Sequence, residues 1–316
     1  MRAPDPTPTA YLPPPAVPGW AHALGPVASD IEAAFLAGAA LNSLDNLVRS
    51  APSWAGAWRQ RLALKCAAAA VSLAGRTESE SQIRDAWHLR AAGADPGPAG
   101  NLFAAWTWLA ARSPHIGIEA VQSVTELLGL RWSGDLEVLP DRFDDLARSG
   151  QPAPVPAAAI MADVQRARPD AELLGWWLAD LAVAARLRWP FAVPMMVTQA
   201  RGGAFRVAGG RGRVRPGGVG FERGMCVALA LAAADACRLA ADIAPRAARL
   251  AAVAPRLRAK GAGEVMRLLL DADAVPGTVQ TEQMTRWGAR RLFERLTVLD
   301  AVRELSGRAS FRLYGV

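Results

Sequence analysis

Lysine is almost missing from this chain: only Lys65 and Lys260 are lysines, and the other 34 basic residues are arginine. A GC-rich coding sequence produces the same skew, so it is no sign of recognition by itself. Cysteine is equally scarce. Cys66, Cys226 and Cys237 are too few and too scattered for a disulfide framework or a zinc site. Cys226 and Cys237 lie eleven residues apart, return to nearly the same helix face, and read as small buried residues. Histidine is limited to His22, His88 and His115. Long apolar runs are lacking too. The best, "MCVALALAAA" at 225–234, is stopped by Asp235, whereas a spanning helix needs roughly twenty residues. The N-terminus has no apolar core of the signal-peptide kind. These absences lead us to expect a cytoplasmic protein with no membrane segment.

What is present is alanine, charge and helical period. Of 316 residues, 52% are apolar and 21% charged, enough for a sizeable core. The net charge of +7 is divided unevenly: residues 1–200 hold 16 basic and 19 acidic side chains, residues 201–316 hold 20 and 10. A basic half points to a polyanion partner, or else to a solubilising surface.

Residues 1–26 carry eight prolines and predict an extended or disordered tail. From 27 to 200 the chain reads as a body of successive helices, most ended by Gly or Pro, with no strand alternation. In the first of them Ile31, Phe35, Leu41, Leu44 and Val48 fall near one face and predict its buried stripe. Trp54, Trp58, Trp106, Trp108, Trp176 and Trp177 lie on or beside apolar faces and predict core packing. Residues 201–223 hold eight glycines and the arginines 201, 206, 211, 213, 215 and 223 against one acid, Glu222. Such a stretch cannot bury a core and predicts a mobile loop or a weak hairpin. Arg206, Arg211, Arg213 and Arg215 are candidates for an accessory phosphate contact. Linking helices are expected over 224–255, with a first stop near 244.

The most informative segment is the last. Thr285 is a candidate N-cap, and Ala289, Leu292, Phe293, Leu296 and Leu299 make one apolar stripe. Trp287, Arg290, Arg291 and Glu294 point away from it. Residues 302–305 then predict a short strand, 306–309 a turn, and 310–314 a return on which Phe311 and Leu313 share one face while Arg312 and Tyr314 share the other. A basic helix followed at once by a hairpin is the order of a recognition helix and its wing, so a winged-helix (helix-turn-helix class) domain is expected over 256–316. Arg286, Trp287 and Arg290 would stand nearest the bases, and Arg291, Arg308 and Arg312 would serve phosphates. The competing reading is a winged helix used for protein contacts or self-association. The fold class expected is therefore mainly α: a multi-helix N-terminal body and a C-terminal winged helix with a short β-hairpin.

Two resemblances follow from particular residues. The stretch "RLFERLTVLDAVRELSGRASFRLYG" is similar to the C-terminal winged helix of Fic-type proteins, through Arg303, Glu304, Ser306, Gly307, Arg308, Arg312 and Tyr314. It departs from that pattern at "PGTVQTEQM" (276–284), where the usual middle helix has little room. Fic-type enzymes transfer AMP with a histidine loop, H-x-F-x-[DE]-G-N-G-R, and none of the three histidines here opens one. The resemblance, with a faint likeness over 176–199, implies a degenerate and inactive Fic-like core within the helical body. Over its whole length the chain also resembles a bacterial family of unknown function, through "WRQRLALKCAAAAVSLAGR", "RDAWHLRAAGADPGPAG" and "APRLRAKGAG".

For catalysis the remaining candidate is Asp85, His88 and Arg90. An acid at i−3 can orient a histidine base. The same residues also read as a helix-end histidine satisfied locally. No glycine loop matches a phosphate or dinucleotide fingerprint, and no cofactor is expected. The function expected is a DNA-binding regulatory or accessory protein; the alternative is a protein-interaction scaffold.

Overall fold

The computed structural model describes residues 13–22, 25–91, 93–207, 212–257, 259–308 and 310–316. It is mainly helical. Its helices are α1 (Asp30–Ser50), α2 (Ala55–Leu73), α3 (Glu80–His88), α4 (Gly97–Ala111), α5 (Ile118–Leu127), α6 (Leu139–Arg148), α7 (Pro154–Ala167), α8 (Glu172–Leu187), α9 (Phe221–Val253), α10 (Ala262–Asp271) and α11 (Arg286–Val298). Strands β1 (Val275–Pro276), β2 (Arg303–Glu304) and β3 (Leu313–Gly315) form one antiparallel sheet in the order β1-β3-β2. The chain divides into two compact units. The larger spans 15–52 and 59–237; the smaller holds 53–58 and 238–316.

In the larger unit the caps are written in the sequence. The Ser29 hydroxyl accepts from Glu32 N at 3.1 Å, and Glu32 returns the contact to Ala28 N, closing the first turn of α1. On α3, Ser79 and Gln82 form a full reciprocal capping box. The buried face of α1 differs from the expected one. Ile31 and Phe35 are 84% and 62% exposed, and the covered residues are Ala33, Leu36, Ala37, Ala40, Leu41, Leu44 and Leu47. Alanines on that face let neighbouring helices approach, so packing distance and not side-chain size chose it. The ring of Phe35 meets Trp20 at 5.4 Å instead.

The proline-rich segment also departs from expectation where it is described. Val17 and Ala21 are buried, and the Ser43 hydroxyl of α1 donates to Ala16 O at 3.1 Å. Prolines surrender little backbone entropy on ordering, so two apolar anchors suffice to seat them.

Helix α8 is the centre of this unit, buried along most of its length. A Cβ on its Gly175 would lie 2.9 Å from Met161 Sδ, so glycine is what lets α7 lie against α8. Trp177 Nε1 donates to Ala105 O of α4 at 2.9 Å, and Trp177 and Trp106 are fully buried, as the tryptophan pattern predicts. After α8 the chain leaves through Arg188 in the left-handed region and is pinned twice. Trp189 Nε1 donates to Asp45 Oδ1 at 2.8 Å, and buried Asp180 accepts from Met195 N and Met196 N, both at 3.0 Å. Burial drives the Asp45 carboxyl upward, but the Arg49 and Trp189 donors outweigh it and hold it below the usual carboxylate range.

Helix α9 runs unbroken through Pro245, past the stop expected near 244. A proline inside a helix forfeits one hydrogen bond, and packing on either side offsets it. The stretch Phe221–Arg256 is long and apolar enough to cross a membrane by length and composition, its most apolar 18-residue window having a mean hydropathy of 1.6. Its most apolar window is 67% buried inside the protein, as in a core helix.

Candidate nucleic-acid interface

The smaller unit ends in the order α10, β1, α11, β2, β3. Gly261 opens α10 at φ +77°, where any Cβ would meet the backbone of Gln283 at 2.9 Å. That close approach folds 277–285 back over the start of α10. No helix forms in 277–285, as the sequence departure at 276–284 foretold; instead Thr281 and Met284 make an isolated bridge. The Thr285 hydroxyl then caps α11 by accepting from Gly288 N at 3.2 Å. Thr285→Ala removes that acceptor and costs about 1 kcal/mol, read as a lower denaturation midpoint.

Ala289, Leu292, Phe293 and Leu296 are the buried stripe of α11. Leu299, expected to extend it, is exposed: the helix ends at Val298 and Asp300 turns left-handed at φ +48°. Arg249 holds Asp300 at 2.7 Å and also donates to its carbonyl at 2.8 Å, which fixes where the hairpin starts.

The hairpin follows, with Arg303 opposite Gly315 and Glu304 opposite Tyr314. Leu305 N donates to Leu313 O at 2.8 Å. The facing of the return is not the one expected. Phe311 sits at φ +56°, is 67% exposed, and still belongs to the turn; Leu313 and Tyr314 are both buried. Tyr314 lies flat on Phe293, with centroids 4.5 Å apart and planes 9° from parallel. That stack turns Tyr314 inward and ties the hairpin to α11. Sequence reasoning missed β1 altogether. Val275 pairs with Tyr314 and Pro276 with Leu313, a contact with no local signal because its partner lies nearly forty residues on. Gly277 completes it: its N–H donates to Arg312 O at 2.8 Å, and a Cβ there would strike the Tyr314 ring.

On this frame the six candidate residues of the module are exposed. Arg286, Trp287, Arg290 and Arg291 are carried by the outer face of α11, and Arg308 and Arg312 by the hairpin. The Arg286 guanidinium lies over the Trp287 ring at 5.1 Å. Arg290 pairs with Glu294 at 3.2 Å, an exposed i,i+4 contact that a stronger anion displaces readily. Arg312 lies 3.5 Å from Glu304; Tyr314 and that carboxylate push its guanidinium further toward the charged form. Among the described residues no acid pairs with Arg286 or Arg291. A shallow cleft on the same unit is lined by Glu264, Asp271 and Glu282 together with Arg267.

The other candidates fall in the larger unit. Arg206 and Arg213 face each other across an isolated antiparallel bridge, so 205–207 and 212–214 run antiparallel as the two arms of a short hairpin. Arg213 donates to Ala200 O, and Arg206, Arg213 and Arg215 are exposed; Arg211 lies outside the described residues. Asp85 is buried and His88 half-buried at the end of α3, while Arg90 turns onto the Trp87 ring at 3.9 Å and donates to its carbonyl. Asp85, His88 and Arg90 line none of the larger cavities. Among the described residues no cluster of His, Cys, Asp or Glu could hold a metal ion. Cys66 and Cys237 are buried, and burial raises both thiols above their ordinary range, as for inert packing residues.

A family model described as "Protein of unknown function (DUF1403)" matches residues 7–316. The chain belongs to this family. No curated protein matches it. Membership brings no activity with it, so function rests on the geometry above.

Proposed function

We propose that residues 262–316 form a winged helix that binds duplex nucleic acid, with α11 in the major groove and the β2–β3 hairpin as the wing. The observation that carries this is the run of exposed arginines on one face of α11, next to a hairpin that adds two more. A helix followed at once by a two-stranded hairpin is the order of a recognition helix and its wing, and β1 adds a third strand beside it, although no middle helix forms in 277–285. The sequence likeness to the Fic-type winged helix supports the same assignment and carries no AMP transfer, since the histidine loop is lacking. Arg286, Trp287 and Arg290 stand nearest base edges; Arg291, Arg308 and Arg312 neutralise phosphates.

The measurement is fluorescence anisotropy of the full chain on a random duplex across a salt series. Each phosphate contact contributes a slope of roughly −0.9 in log K against log salt. The double variant Arg291→Ala/Arg312→Ala is expected to flatten that slope by about two and to weaken binding about equally across sequences. Absent or salt-insensitive binding sinks the proposal. One observation favours a second reading, the protein-interaction scaffold: Trp287 and Phe311 are large exposed apolar groups on the same module, and Trp is a preferred interface anchor. Co-purification of a defined protein with no retention on duplex would select it.

A further inference from the structure

In the larger unit, the first turns of α9 face their own preceding loop. Arg223 and Gly224 stand four and three residues before Val227, and Leu231 four after it, so the four share one side of the helix. The 3-10 turn Gly203–Phe205 is seated on that side, because a Cβ on Gly224 would lie 2.9 Å from Ala204 O and 2.7 Å from the Phe205 ring. The chain then leaves the turn through Arg206 and Val207 and returns through Val214, whose N–H donates to Phe205 O at 2.8 Å. Between this hairpin and the helix lies a cavity of ≈ 740 Å³. Its walls are apolar, with Val27, Val207 and Val214 facing Val227 and Leu231. The size and lining are those of a small-molecule site, about 300–1,000 Å³ with a few convergent polar groups.

Two arginines border it, and they differ. Arg223 is held by Asp30 at 2.6 Å and by Ala28 O at 3.3 Å, so its charge is answered within the unit. Arg206 is exposed, and among the described residues no acid pairs with it. The rim therefore carries one uncompensated positive charge beside an apolar trough.

We propose that this cavity binds an apolar monocarboxylate, its chain lying along Val227 and Leu231 and its carboxylate on the Arg206 guanidinium. A carboxylate is the anion that matches a guanidinium fork, and a single charge on an apolar tail matches one rim cation over apolar walls. The inference uses nothing from the duplex-binding reading and stands or falls without it. The test is titration calorimetry of the full chain with decanoate and with decanol. Decanoate is expected to bind at least about tenfold more tightly than the alcohol, the ordinary strength of a charge-assisted bond. Arg206→Gln is expected to bring the acid down to the level of the alcohol, and Val227→Trp to remove both by filling the trough. If Val227→Trp does not fold, Arg206→Gln, a surface change, decides alone. Equal binding of acid and alcohol, an unchanged Arg206→Gln titration, or no binding of decanoate overturns the proposal.

Discussion

Raising the pH from 5.5 to 8.5 is expected to lower the denaturant midpoint of this protein, and Asp180→Asn to abolish most of that fall. Asp180 sits inside α8, fully enclosed, and among the described residues no cation pairs with it; its partners are the backbone N–H groups of Met195 and Met196. Burial raises its carboxyl to about 8, because desolvation of the charged form outweighs the two donors. In the unfolded chain the same group ionises near its ordinary value of about 4. Between those two values the folded state binds the extra proton, so raising the pH favours unfolding. The stability is fully present below about pH 4 and is lost as the pH rises through about 8, an effect on the order of a few kcal/mol. Asn cannot ionise, so its midpoint should be nearly level across the window. It should also lie below wild type at pH 5.5, because its amide nitrogen faces a backbone donor. Parallel pH profiles for wild type and Asp180→Asn contradict this account.

Phe293→Ala is expected to be the most damaging single change in the smaller unit, at about 3–5 kcal/mol. Its ring is fully buried, and it is the surface on which Tyr314 lies. Truncation opens a cavity under α11 and at the same time unseats β3, the middle strand of the sheet. A domain holds about 5–15 kcal/mol in total, so such a loss is a large share of it. Limited proteolysis reads it directly: cleavage at arginines in 286–312 should rise in Phe293→Ala. Phe311→Gly is the matched control. It removes an exposed ring and relieves a left-handed φ, while glycine adds backbone freedom to the unfolded chain, so the two effects offset and stability should change by less than about 1 kcal/mol. Equal losses for the two variants would mean that the stack is not what holds the hairpin.

The helical class was legible because it depends on local signals. Thr285, the candidate cap, does cap α11, and apolar spacing located that helix and its buried stripe. The exposed arginines of α11 were legible for the same reason, since one period of 100° per residue sorts a helix into faces. The face of α1 was not, because an alanine stripe and a Phe-Ile stripe compete on it and only the neighbouring helices choose. The facing of Phe311 and Tyr314 was misread because strand alternation was started three residues too early, inside a turn.

By itself the sequence determined that this chain would be helical, where its helices would be capped, and that its positive charge would gather in the last third. Tertiary structure alone decided that Val275 joins the sheet, that Tyr314 turns inward onto Phe293, that Asp180 is enclosed, and that a hairpin over α9 bounds an apolar cavity. The first set follows from forces acting within four residues along the chain. The second follows from which surfaces meet, and that is fixed by packing between segments tens of residues apart.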